Sequence, residues 1–545
     1  MFCSFFAQIK FDVSERELVI PLCDGQHDHE DEGYSHEVVQ RILAAKDEGL
    51  VSDKAYHELR MALPESVRSH VPPLSTILQE RRTQNKEIEV IPIPEAKQGD
   101  GARRSVCDVL EYLITIPEVK EAIKKDGSKI KLRFAADGRR TSRRIGTVMA
   151  VFNILCENKA TYEYQYTLAL YNGKEDYDEL KACLGQTFEE IDQLKTTGIT
   201  IDGEHFDIEW FCCSDWKFLA LVYGLNGASS KFFCIWCYCC KEQINNLDID
   251  EWPIERDLSE CTRLCQRSTT ASRKGCVMPP LLNIPFKFVV VDTLHLFLRI
   301  MGLLFHQVVE VVVNNDCHNV LTDEMDSINV EFKFYEEFNK LAEKTETKWT
   351  NLNGKELQKV LDKLNIKKIM EAVGHDDSEG IDDLWSGFKT LMRALQVEEN
   401  DPEYLKPQSF KTRVREWGKL FLEMFYDDDI TPYIHTFVYH VPQFLEKYGT
   451  LMQFNCQPVE KKNHWQSQAF HRGSQKGGKN SRYTVQVMEQ ENRLMFARCN
   501  NLKRKRRSYV KCKLPANPES SDEEEAPDSQ IGSVHVYNHH EEQEG

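Results

Sequence analysis

The sequence predicts a mixed α/β fold with flanking helices and a long, mainly helical insertion. Three observations carry that expectation. Between Lys129 and Asp215 the hydrophobic pattern reads strand, strand, strand, helix, strand. An aspartate closes the first of these strands and another closes the fourth. The long stretch from His295 to His435 is rich in helical periodicity.

In the first strand Ile130, Leu132 and Phe134 alternate with Lys131 and Arg133, running into Asp137-Gly138. The apolar runs Thr147 to Leu155 and Tyr164 to Tyr171 are the second and third, with Asn172-Gly173 as a turn after them. Tyr177, Leu180, Leu184, Phe188, Ile191 and Leu194 recur at spacings of three and four, and Gly198 ends that helix. Phe206, Ile208, Trp210 and Cys212 alternate in the fourth strand, expected to reach Asp215. This order resembles the ribonuclease H-like mixed sheet, whose nucleases carry metal-binding carboxylates at those two strand ends.

At 545 residues the chain is too long for one domain, and 41% apolar residues exclude global disorder. The richest apolar stretch, Val289 to Val313, is broken by Asp292, His295, Arg299, His306 and Glu310, so no membrane segment is expected. The N-terminus lacks the pattern of a secretion signal, and the 18 cysteines therefore read as reduced thiols or metal ligands. The net charge of −18 is uneven: from Leu514 to Gly545 there are nine acidic residues and no Lys or Arg. Basic clusters at Arg139, Arg140, Arg143 and Arg144 and at Lys503 to Arg507 leave phosphate binding open. The second cluster reads as a nuclear localisation signal, a DNA-contacting tail or a solvated run.

Two-metal phosphoryl transfer needs acidic side chains converging from separate elements on hard cations, and Asp137 and Asp215 have the right placement. The competing reading makes Asp137 a turn residue before Gly138 and Asp215 a helix N-cap. Separately, Cys234 and Cys237 form a C-x₂-C pair, and His435 and His440 an H-x₄-H pair, each half of a zinc site. The halves lie about 200 residues apart, so the site would clamp distant segments. Cys239 and Cys240 blur the choice of thiols, and Cys261, Cys265 and Cys276 form a rival group.

Taken together, these segments resemble the catalytic core of the RAG recombinase's catalytic subunit and of Transib-type transposases. The resemblance rests on Ala136-Asp137-Gly138, Ser214-Asp215-Trp-Lys-Phe-Leu, and Gly224-Leu-Asn-Gly-Ala-Ser-Ser-Lys-Phe-Phe-Cys234-Ile-Trp-Cys237. It continues through Val291-Asp292-Thr293-Leu294-His295, Tyr433-Ile-His435-Thr-Phe-Val-Tyr-His440-Val-Pro442, Glu446-Lys-Tyr-Gly-Thr and Val459-Glu460-Lys-Lys-Asn463. It implies a DDE triad of Asp137, Asp215 and Glu460 binding Mg²⁺ or Mn²⁺, and a structural zinc on Cys234, Cys237, His435 and His440. The implied reaction is a nick by water, then attack of the new 3′-hydroxyl on a phosphodiester. Arg139, Arg140, Arg143, Arg144, Lys461, Asn463 and Arg472 are the expected DNA contacts.

The expected organisation follows. Residues 1–105 precede the core, 106–230 begin it, and 231–440 form the helical zinc-containing insertion. Residues 441–500 carry the catalytic helix, and 501–545 are a basic then acidic tail. Expected partners are DNA, a second copy and an accessory subunit, in the nucleus, with no small-molecule cofactor. No RING-type array or strongly basic leader is visible, which favours the alternative of a domesticated derivative that binds without cutting. His295 is read as a core histidine bonded to Asp292.

Overall fold

The computed structural model describes residues 8–13, 16–21, 34–96, 99–127, 129–140, 146–157, 159–339, 344–425, 430–473 and 482–502. They fall into two compact units. The first comprises the residues up to Cys212, Leu281–Ile284, and the chain from Gln457; the second comprises Cys213–Pro280 and Pro285–Cys456. The units thus divide at 212/213 and 456/457, where the sequence reading drew boundaries at 230/231 and 440/441.

The described strands are β1 (Gln8–Val13), β2 (Arg16–Pro21), β3 (Ile91–Pro92), β4 (Gly101–Arg103), β5 (Lys129–Arg140), β6 (Gly146–Ile154), β7 (Tyr166–Asn172), β8 (Ile199–Ile201), β9 (Glu204–Cys212), β10 (Phe334–Asn339) and β11 (Lys344–Trp349). Seven of them make the mixed sheet of the first unit, in the order β3-β4-β7-β6-β5-β9-β8. Only β5 and β9 run parallel, in register from Lys129↔Asp207 to Phe134↔Cys212. All seven residues of β7 are buried, and successive side chains point to opposite faces, so both faces of the sheet are covered there. On one face Phe134 meets Phe188 of the helix Tyr177–Thr197, ring centroids 6.0 Å apart. That helix starts where Asp176 accepts the Glu179 amide and stops at Gly198, whose φ of +64° suits glycine.

From the far end of the chain, helices Gln457–Gln468 and Tyr483–Cys499 return to this sheet through a buried ionic network. Arg104 pairs with Glu491 at 2.5 Å, Lys462 pairs with Glu491 at 3.0 Å, and Thr167 donates to Glu491 from both its amide and hydroxyl. Two cations and two further donors converge on one carboxylate, which offsets the cost of burying it. Arg493 also grips Asp47, tying Tyr483–Cys499 to the helix His36–Glu48.

The structure corrects two expectations. β5 does not close at Asp137: it runs on to Arg140, and Asp137 pairs with Met149. β9 ends at Cys212, short of Asp215. Edge strand β3 is followed by β4, where Gly101 is packed against Ile93, Ala96 and Tyr171. The tail from Lys503 lies outside the described residues.

The second unit is mainly helical, with the β10/β11 hairpin as an addition. Its core gathers Phe297, Phe388, Trp417 and Phe437 from four segments, with ring centroids 5.5–6.3 Å apart. Among the described residues one helix, Thr293–Asn314, is long and apolar enough to cross a membrane. Here it is a core helix, with Leu296, Ile300, Leu304 and Val308 buried. Gly224 has a φ of +64°, and a β-carbon there would sit 2.0 Å from the Met278 carbonyl oxygen.

Candidate metal centre and carboxylate cluster

Within the second unit Cys234, Cys237, His435 and His440 come together, all buried, with their ligand atoms within 4.8 Å of one another. Cys234 Sγ lies 3.2 Å from His440 Nε2, and Cys237 Sγ lies 3.4 Å from His435 Nε2. Tetrahedral zinc with ordinary Zn–S and Zn–N bonds places neighbouring donors roughly 3.4–3.8 Å apart, so this set fits a metal such as zinc. The histidines are five residues apart, and on an α-helix that spacing turns them about 140° around the axis. The segment Thr436–His440 is instead a π-helical turn, and its wider pitch returns the two imidazoles to one face.

The surroundings favour the ligand forms of Cys234 and His435 and disfavour that of Cys237. Burial works against a Cys234 thiolate, but hydrogen bonding from Cys237 and the His440 and His435 rings hold its pKa well below the ordinary cysteine value. Burial and that adjacent thiolate push Cys237 well above it. Burial lowers His435, favouring the neutral imidazole a metal requires. His440 Nδ1 lies 3.1 Å from Gln443 Oε1, and Gln443 Nε2 donates to the Trp252 carbonyl at 2.9 Å. Such a bond fixes the tautomer that leaves Nε2 for the metal. Arg256 donates from Nε to the carbonyls of both Cys234 and Cys237, at 2.9 and 3.0 Å, shaping the turn.

The ambiguous thiols resolve. Cys239 and Cys240 bond elsewhere, to the Cys240 carbonyl and to Gln443's neighbour in type, Gln243. Cys261 and Cys276 hydrogen-bond to each other, whereas Cys265 bonds the Thr262 carbonyl. The rival trio therefore does not assemble.

Within the first unit Asp137 and Glu460 address the same guanidinium. Burial draws the Arg139 pKa down to about 10, while Asp137, Tyr483 and Glu460 act to hold it up. Asn463, one turn beyond Glu460, donates to Asp137 Oδ2 and accepts from Arg139 Nη1 at 2.6 Å. Arg139 and Asn463 thus turn their polar atoms to Asp137, while Arg140, Lys461 and Arg472 are exposed. Arg143 and Arg144 lie outside the described residues. Glu175 packs against Gly138, where a β-carbon would lie 2.5 Å from its Oε2, and alternation along β5 puts it on the face opposite the Asp137 side chain.

Asp215 belongs to the second unit and caps the helix Trp216–Val222, accepting the Phe218 amide at 2.7 Å. That is the N-cap reading. Asp292 caps Thr293–Asn314, and His295 Nδ1 bonds its Oδ2, as the sequence suggested. No protein-family model matches the chain, and no curated protein matches it significantly.

Proposed function

We propose that the chain is a metal-dependent DNA strand-transferase of the RAG and Transib type, built on a ribonuclease H-like sheet. The observation that carries the reading is that the helix Gln457–Gln468, which carries Glu460, reaches Asp137 of a central strand through Asn463, which also takes a hydrogen bond from Arg139. Two acids from separate elements are what metal-assisted phosphoryl transfer requires. The parallel β5/β9 pair and the Cys/His centre, at the positions the resemblance names, support it further.

In this reading Asp137 and Glu460 would hold Mg²⁺ or Mn²⁺, whose chemistry is to activate water or a 3′-hydroxyl and stabilise the leaving oxygen, and Asp215 is the third carboxylate that the resemblance implies. Asn463 orients Asp137 and holds Arg139 beside it. Arg140, Lys461 and Arg472 meet backbone phosphates, and zinc on the Cys/His centre is structural. DNA is the partner, in the nucleus, with a second copy and an accessory subunit. The test is Mn²⁺-dependent nicking of duplex DNA: Asp137→Asn should abolish it with the fold intact, and unchanged nicking sinks the assignment. Wild-type protein that binds DNA without cutting would select the domesticated, inactive derivative instead.

A further inference from the structure

A second pair of cysteines stands apart from the metal centre. Cys213 and Cys456 are the first and last described residues of the second unit, 243 positions apart, yet their sulfurs lie 3.9 Å from each other. Both are buried, and Cys456 Sγ also points to the Cys213 carbonyl at 3.4 Å. A disulfide needs about 2.05 Å between sulfurs, so side-chain rotation of roughly an ångström at each residue closes the gap.

Asp292 completes a trio of potential metal donors with these thiols. Its carboxylate, however, is already committed. Oδ1 accepts the amides of Leu294 and Cys456, at 3.1 and 2.8 Å, and Oδ2 accepts both the amide and ring nitrogen of His295. A metal would have to displace bonds that cap a helix, whereas a disulfide leaves all four in place. The Cys456 amide bond to Asp292 also holds the backbone of one partner fixed.

We propose that Cys213 and Cys456 form a reversible disulfide that joins the entry and exit of the second unit. The oxidant is a hydroperoxide. One thiolate attacks the O–O bond, giving a sulfenic acid and releasing hydroxide; the second thiol then displaces that oxygen as water. Two thiols and one hydrogen peroxide yield one disulfide and two waters, the peroxide taking two electrons. Thiol reductants reverse it. Because the bond closes a loop of more than 200 residues, it restrains the unfolded chain strongly.

The test treats the full-length protein with hydrogen peroxide, alkylates remaining thiols and maps tryptic peptides by mass spectrometry. Expected is peptide 196–217 joined to peptide 448–461, released by dithiothreitol. Cys213→Ser must abolish the link, since Cys212 lies on the same peptide. Thermal unfolding of the second unit should shift upward on oxidation, reversibly, and not in Cys456→Ser. Recovery of both cysteines alkylated, under conditions that oxidise the partly exposed Cys240 and Cys317, overturns the proposal. So does persistence of the link in Cys213→Ser.

Discussion

Replacing Gln443 by alanine should weaken metal binding without touching a ligand. Gln443 accepts from His440 Nδ1 and is itself anchored by the Trp252 carbonyl, so it selects the tautomer with Nε2 facing Cys234. Losing such a partner costs about 10–100-fold in metal affinity, or about 1.4–2.7 kcal/mol. Removing a ligand should cost more. Apparent zinc binding by a structural site is worth about 10–16 kcal/mol, so an even share among four donors gives about 3 kcal/mol for His440→Ala. Zinc content after dialysis, and competition with a chromophoric chelator, read both effects. The order expected is wild type, then Gln443→Ala, then His440→Ala, with helical content falling only where metal is lost. Equal affinity in wild type and Gln443→Ala refutes the tautomer argument, and full zinc occupancy in His440→Ala refutes the site.

Acid should unfold the first unit through Glu491, whose pKa Lys462 and Arg104 hold at about 2 against the burial that would raise it. A depressed carboxyl stabilises the fold above its unfolded pKa near 4.5 and loses that as pH falls towards 2, here about 3 kcal/mol; Glu491→Gln should flatten that part of the denaturation profile. Lys462 gives a slope of the same sign in a second window, since burial draws its pKa down to about 8 and stability should rise with pH between there and 10.5. Gly224→Ala should destabilise the second unit by about 2 kcal/mol or more in urea titration, because the left-handed backbone and the Met278 carbonyl both oppose a β-carbon. Asn463→Leu should lower nicking while leaving DNA affinity at the exposed Lys461 and Arg472 unchanged; an equal loss of DNA affinity would make it a phosphate contact after all.

Much of the sheet was legible because its long elements obey simple periods. Phe206, Ile208, Trp210 and Cys212 alternate as β9 does, and the three-and-four spacing from Tyr177 to Leu194 with Gly198 after it marks the helix within a few residues. The short strands β3, β4 and β8 were missed, since two or three residues cannot display a period. Asp137-Gly138 read as a turn because local preference favours one, but pairing with Met149 and Val148 of β6 carries the strand through. The Arg139–Asn463 bridge had no local signature at all.

The sequence by itself determined the donor chemistry of the metal centre: two thiols and two imidazoles select a borderline-soft metal. It also determined the long strands and helices, whose patterns are local. Only the tertiary structure decided which cysteines meet the histidines, because that depends on a π-helical turn and on chain segments 200 residues apart. It likewise decided that Arg139 and Asn463 face Asp137, and that Cys213 and Cys456 touch. Contacts between distant segments are fixed by packing and desolvation, which no local period encodes.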